Sequence, residues 1–300
     1  MKKASCQSKQ DNSNFGIEKS GFAEVSGAGE KQVIEAINSF EGYHNFISDV
    51  SSDPRFCDPH FAYDPDNLYG SLHRENEYAF AVMTGGKIQG LFVWLINSDE
   101  RYIELLIGLT RHEAAFSEML SRLEERYCGY RADFVINPQN EAMTRVLNGR
   151  NAVFDKEQQK MLLTGAAPDT TADCVEEYSE KWREQYCALH RTDTYWTAER
   201  VLSASDRFRV LLAVQDNRIV GYLDVTYGCD INEPYDLWVR PELPFGEYAL
   251  PLLAEAAKRN GANQMMALVY TEATEEIEAY AAAGFAKVEG QNSVYASYRL

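Results

Sequence analysis

Glu77–Thr84, Gly85-Gly86 and Lys87–Asn97 form one half of a pattern whose other half is Phe208–Val214, a turn around Asp216-Asn217, and Arg218–Tyr227. Each half is a pair of apolar, β-rich runs joined by a short turn, the signature of a β-hairpin. Ile88-Gln89-Gly90 falls opposite Ile219-Val220-Gly221. Further along, Ile103-Glu104-Leu105-Leu106-Ile107 falls opposite Tyr235-Asp236-Leu237-Trp238-Val239 at nearly the same spacing. An amphipathic helix follows each strand, marked by Phe116, Met119, Leu120 and Leu123 in one case and by Leu252, Leu253, Ala256 and Ala257 in the other.

A second strand-helix step comes next in both halves. Asp133–Asn137 leads to a helix near Asn140–Leu147, and Met265–Tyr270 to one near Glu275–Ala283. Lys160–Thr164 and Ser293–Tyr298 read as closing strands. Residues 1–29, rich in Ser, Lys, Gln, Asn and Gly, read as a loose tail, and Thr164–Thr171 as a small polar connector. The expected organisation is a mixed-sheet α/β chain with two copies of one fold, over residues 30–165 and 172–300.

Composition narrows the function. The chain has 300 residues, 45% hydrophobic and 25% charged, enough to bury a core. Its apolar runs are far too short to span a bilayer, and the polar run to Asn14 leaves Met1-Lys2-Lys3 without a signal-peptide core. A formal charge of −17 disfavours nucleic acid and anionic membranes as partners. Six scattered cysteines without a CxxC pair fit reduced thiols in a cytoplasm. The five histidines form no metal-ligand spacing, so no metal is expected and surface or capping roles are favoured for each.

Two short motifs add a resemblance. Ile277-Glu278-Ala279-Tyr280-Ala281-Ala282-Ala283-Gly284-Phe285 resembles the helix-to-strand signature of the GNAT N-acetyltransferase superfamily. Val135-Ile136-Asn137-Pro138-Gln139-Asn140-Glu141 resembles the signature that opens the same helix. Each copy keeps one end of the motif, and the likeness extends over about residues 30–300. It implies two consecutive GNAT-like acyl-CoA N-acyltransferase folds. It also implies a fourth strand that splays from the fifth so that acetyl-CoA, as co-substrate, pairs with exposed backbone. Its pyrophosphate would rest on a glycine-rich turn at a helix N-terminus.

Both copies depart from that turn. The second reads Pro244-Phe245-Gly246-Glu247-Tyr248-Ala249, with Pro for the leading Arg or Gln and Glu247 for the central glycine. Pro251 lacks a helical N–H and fits best in a first turn, which predicts a helix starting at Tyr248 or later. The first copy reads Arg111-His112-Glu113-Ala114-Ala115-Phe116, without a glycine and with a connector one residue shorter. If acetyl-CoA binds, the second copy should hold it, along Leu237, Trp238 and Val239 and the turn Gly246, Glu247, Tyr248 and Ala249.

By the same resemblance Tyr280 stands where the family places the acid that protonates the departing thiolate; the plain alternative is that it packs helix on sheet. Glu233 and Asp236 are candidates for the general base near the fourth strand, although charged strand residues often simply face water. Tyr195-Trp196 falls on the acceptor wall, with core packing the favoured reading. Asp53-Pro54-Arg55-Phe56-Cys57-Asp58-Pro59-His60 is a proline-fixed loop with no derived role.

The expected function is a cytoplasmic acetyl-CoA-dependent N-acetyltransferase acting on the primary amine of a small molecule, with the first copy as scaffold or substrate wall. A homodimer is the oligomeric alternative. The rival is a non-catalytic GNAT-fold protein that binds a ligand or partner with degraded loops. A tRNA-dependent transferase of the same fold would need a basic surface that the net charge opposes.

Overall fold

The computed structural model describes residues 32–165, 168, 174–192, 194–229 and 231–300. The tail of residues 1–29 and most of the connector lie outside the described residues. The first half runs β1 (Gln32–Ala36), α1 (His44–Ser51), α2 (Pro59–Tyr63), α3 (Asp66–Tyr69), β2 (Glu77–Thr84), β3 (Lys87–Asn97), β4 (Tyr102–Thr110), α4 (Glu113–Arg126), β5 (Arg131–Ile136), α5 (Glu141–Gly149) and β6 (Val153–Leu163). The second runs β7 (Val175–Glu177), α6 (Arg183–Leu189), α7 (Ala198–Ser203), β8 (Phe208–Gln215), β9 (Arg218–Thr226), β10 (Ile231–Asn232), β11 (Pro234–Val239), α8 (Phe245–Asn260), β12 (Gln264–Tyr270), α9 (Thr274–Ala282), β13 (Phe285–Lys287) and β14 (Ser293–Arg299).

The duplication extends to backbone detail. Gly85 and Gly86 turn the first hairpin with φ of 55° and 75°, and Asp216 and Asn217 turn the second with φ of 50° and 58°. Two successive positive φ angles are those of the type I′ turn, whose twist matches the flanking strands. Each hairpin then slips by one residue at the same place. Gln89 is extra between the pairs Met83–Ile88 and Val82–Gly90, and Val220 between Val214–Ile219 and Ala213–Gly221. Such a bulge bends the strand and raises its twist.

Strand register corrects the alignment of the next strand. Gly90 pairs with Thr110, whereas Gly221 pairs with Val239. Leu237 therefore corresponds to Gly108, and Ile103–Ile107 does not lie opposite Tyr235–Val239. Both halves carry a further bulge on this strand, at Leu106 and at Tyr235, which apolar patterning alone does not reveal. The connector correction is larger. Arg111 and His112 alone join β4 to α4, while residues 240 to 244 join β11 to α8.

The closing strands cross between the halves. The large sheet runs β1-β2-β3-β4-β5-β14-β6-β12-β10, with β13 also on β6, and a second sheet runs β11-β9-β8-β7. β14 slots between β5 and the N-terminal part of β6. The C-terminal part of β6 lies between β12 and β13. Each half is thus completed by a strand of the other, where the sequence pattern assigned each copy its own. An alternating strand specifies which face it buries and not which neighbour it pairs with.

Side chains fix the exchange. Tyr298 stacks on Phe134 with ring centroids 5.6 Å apart, and its hydroxyl donates to Glu124 at 2.9 Å. Glu124 also accepts from Arg150 at 2.6 Å. Met161 of β6 is buried in the second half's core, beside Val269 and Phe285. Residues 32–300 form one compact unit.

Candidate active site

In the first half, β4 and β5 pair in parallel from Tyr102–Arg131 to Leu105–Phe134 and then part. The space between them is occupied by the chain's own proline-fixed loop. Asp58 Oδ2 accepts the Gly108 N–H at 2.8 Å, and His60 Nδ1 meets the Leu106 carbonyl at 2.8 Å. On the other arm, Asn137 Nδ2 donates to the carbonyls of Pro54 and Cys57 at 2.7 and 3.1 Å. Asp58 Oδ1 also caps α2 by accepting from His60 N and Phe61 N. Burial pushes the Asp58 carboxyl up, opposed by His60 and by these three N–H donors. Arg111, the one residue retained from the expected anion turn, is tied to Asp49 and lies over the Phe56 ring.

Among the described residues, the second half has no such plug. Short β10 pairs in parallel with the start of β12, and β11 then pairs with β9 alone. The Arg240 N–H donates to the Val220 carbonyl, so strand alternation turns the backbone groups of Trp238 and Asp236 toward β9. Leu237 and Val239 then direct theirs into the splay, Leu237 at the register position of the plugged Gly108. Trp238, expected among the backbone contacts, instead stacks its ring on Tyr222 at 5.6 Å.

Three carboxyl groups, Glu276, Glu233 and Asp236, lie within electrostatic reach of one phenol, Tyr280. Glu276 and Tyr280 lie one turn apart on α9 and so share a face. Tyr280 is only 2% exposed, and its ring packs edge-on against Phe285 at 5.1 Å. Burial raises its phenol well above the ordinary range, and Glu276, Glu233 and Asp236 all raise it further. Glu233 is pushed up to about 7 by burial, against the pull of Arg207. Burial and then Asp236 push Glu276 up to about 7. The candidate acid Tyr280 and candidate bases Glu233 and Asp236 are therefore brought within electrostatic reach of one another.

Behind Asp236 lies a buried network that the sequence reading did not identify. Tyr222 donates to Asp236 Oδ2 at 2.9 Å, Tyr186 donates to Asp224 Oδ1 at 2.8 Å, and His190 Nε2 lies 2.8 Å from Asp224 Oδ2 and 3.8 Å from Asp236 Oδ2. His190 Nδ1 is 2.9 Å from the Arg191 carbonyl, which places a proton on that nitrogen. Burial lowers the His190 pKa, but the bonds to Asp224 and Arg191 outweigh it and the value is raised. His190 is thus buried, not the surface or capping residue expected. The ligand atoms of His190, Asp224 and Asp236 lie within 4.8 Å of one another. The 2.8 Å separation is that of a shared proton, shorter than ligands spread tetrahedrally around one cation at about 2.1 Å.

The turn after β11 differs from expectation. α8 begins at Phe245, not at Tyr248 or later, and Pro251 lies inside it, leaving the Glu247 carbonyl without its helical donor. Gly246 and Glu247 are exposed in the first turn, where the Glu247 N–H bonds to the Pro244 carbonyl at 3.2 Å. Tyr248 and Ala249 face inward, Tyr248 donating to Gln215 at 2.9 Å. Tyr195 is 61% exposed, whereas Trp196 packs against Phe208 at 4.8 Å.

This arrangement of hairpin, splayed strands and paired strand-helix steps, present twice, is the GNAT fold. A GCN5-related N-acetyltransferase from Sphaerobacter thermophilus has a similar structure, at 13% identity and a TM-score of 0.58, covering 89% of this chain and 95% of that one. A tandem GNAT protein from the clavulanic acid biosynthesis pathway, solved without acetyl-CoA, matches at 10% identity and 0.47, covering 90% and 98%. A GNAT-family acetyltransferase from Colwellia psychrerythraea matches at 10% and 0.48, covering 89% and 100%. No family model and no curated protein matches the sequence. Among the described residues, no helix is long and apolar enough to cross a membrane.

Proposed function

We propose that the second half is an acetyl-CoA-dependent N-acetyltransferase that acts on the primary amine of a small molecule. The observation that carries this reading is the open edge of β11 facing Tyr280 and its carboxyl groups, while the equivalent edge of β4 is closed by Asp58 and His60. Acetyl-CoA as co-substrate suits the backbone groups of Leu237 and Val239. The first turn of α8 suits its pyrophosphate less well, because Glu247 adds a negative charge there.

The chemistry follows from the protonation states. Glu233, with a pKa near 7, is partly ionised at neutral pH and takes a proton from the acceptor ammonium. The freed nitrogen attacks the acetyl carbonyl carbon, a C–N bond forms, the C–S bond breaks, and the nitrogen releases its second proton to solvent to leave the neutral amide. Tyr280, held protonated by burial, gives its proton to the departing thiolate and regains one from solvent.

Calorimetric titration of the full chain with acetyl-CoA, followed by an assay of thiol release with added amines, tests the reading. Binding and amine-dependent thiol release are expected. No binding would leave the non-catalytic alternative, which the carboxylate of Glu247 at the anion turn favours.

A further inference from the structure

We propose that Lys160 and Ser293 form a site for the carboxylate of the acceptor, which makes that acceptor an amino acid. The acceptor's role rests on the acetyl-transfer reading above; the carboxylate site itself does not. Lys160 lies on the C-terminal part of β6, paired with Leu268 of β12, and is 7% exposed. Its ammonium carries three N–H groups. Among the described residues it has two partners, both neutral: Gln291 Oε1 at 2.9 Å and the Tyr63 ring, whose centre is 5.2 Å away. A buried charge is stable only when it is paired, and no carboxylate of the described residues pairs with this one.

A second observation falls at the same place. Ser293, 2% exposed, opens β14, and its buried Oγ has no hydrogen-bond partner. Strand alternation puts it on the face of Lys160. Gln291 bonds Lys160 on one face of β6, Asn292 bonds Glu157 on the other, and Ser293, paired with Gln158, returns to the first. Lys160 is then a diagonal neighbour of Ser293, with Cβ atoms about 7 Å apart, a spacing that long side chains bridge. The two do not bond each other. An ammonium and a hydroxyl on one face both donate to a carboxylate, while the ammonium repels a cation.

The neighbouring acidic groups are engaged or neutral. Cys57 acts on Lys160, but burial and then Asp58 push its thiol up, so it supplies no counter-charge at neutral pH. Both Asp58 carboxylate oxygens are taken by the N–H groups of Gly108, His60 and Phe61. The approach is from β12, the strand across the splay from β11. Leu268, paired with Lys160 and so on the same face, is 36% exposed. Tyr63 links this place to the candidate base: its ring receives the Lys160 ammonium, and its phenol is within electrostatic reach of Glu233. An amino acid lying along Tyr63 presents its amine to Glu233 and its carboxylate to Lys160.

The test uses the full chain without acetyl-CoA. A series of α- and ω-amino acids is titrated calorimetrically beside the matched alkylamines and alkyl carboxylates, each of which lacks one of the two groups. The best-binding amino acid should bind at least about tenfold more tightly than its matched amine. Lys160→Met, which keeps the stem and removes the charge, should abolish that preference without lowering Tm, because it leaves no uncompensated charge behind. Equal affinities for amino acid and amine, a preference kept by Lys160→Met, or no binding of either overturns the proposal, and the wild-type comparison holds even if the variant misfolds. Carboxylates that bind as tightly as the amino acids, and lose that binding in Lys160→Met, keep the anion site and refute the acceptor's place in it. Amino-acid preference without acetyl-CoA binding refutes acetyl transfer and keeps the carboxylate site; acetyl-CoA binding without that preference does the reverse.

Discussion

Asp58→Ala tests whether the loop of the first half is a structural plug. The carboxylate accepts three backbone N–H groups, from His60, Phe61 and Gly108, and is 3% exposed. Loss of the α2 cap costs about 1 kcal/mol. The Gly108 N–H, buried in the middle of β4, is left without an acceptor at a further cost of about 1–3 kcal/mol. Alanine also removes a buried charge, which returns part of that loss because burial itself disfavours the ionised carboxyl. The net is about 2–3 kcal/mol. For a unit of this size that corresponds to a fall in Tm of roughly 4–10 °C, read by calorimetry or by circular dichroism. Acetyl-CoA affinity should not change, because the open splay lies in the other half. A Tm within about 1 °C of wild type would refute the plug, and acetyl-CoA binding gained by the variant in the first half would show that the loop is a movable gate.

Tyr280→Phe keeps the ring against Phe285 and removes the proton donor, so turnover should fall at least about tenfold while acetyl-CoA affinity holds; unchanged turnover removes Tyr280 as the acid. If Glu233 is the base, kcat/KM should rise with pH through about 7 and level off, and a profile flat from pH 5 to about 9 would assign the base elsewhere. Glu233 and Glu276 have folded pKa values raised to about 7, so the stability they contribute is full below their unfolded values, about 4.3, and is lost as pH rises through about 7. Tm should therefore fall between about pH 4.5 and 7 and level off above that, with a smaller fall in Glu276→Gln. Glu247→Gly should tighten acetyl-CoA binding by up to about tenfold, since the exposed carboxylate acts through solvent; an unchanged Kd would place the pyrophosphate away from this turn.

Much of the fold was legible in the sequence because paired strands and amphipathic helices leave periodic marks. The Gly85-Gly86 and Asp216-Asn217 turns fixed both hairpins, and Tyr280 stood in a motif. The exchange of β6 and β14 was not legible, since both strands carry the same kind of alternation. The start of α8 was misjudged because the tertiary packing of Tyr248 and Ala249 holds Pro251 inside a helix that local propensity would end. Asp224, His190 and Glu276 were missed, although signals existed. Asp224 interrupts the apolar run Ile219–Val225, and Glu276 stands one turn before Tyr280 on the same helix face. His190 had no local mark, because its partners come from β9 and β11.

The crossed closing strands set a timetable for biosynthesis. By the time residue 163 has left the ribosome, β1 to β6 have been made, yet the gap between β5 and β6 waits for residues 293–299. Until then two strand edges that will be interior stand unpaired, and such edges invite pairing with other chains. The same arrangement couples the copies once folding ends. A chain interrupted at the connector leaves both pieces with a foreign strand to seek, so the two halves, duplicated in design, live or unfold as one body.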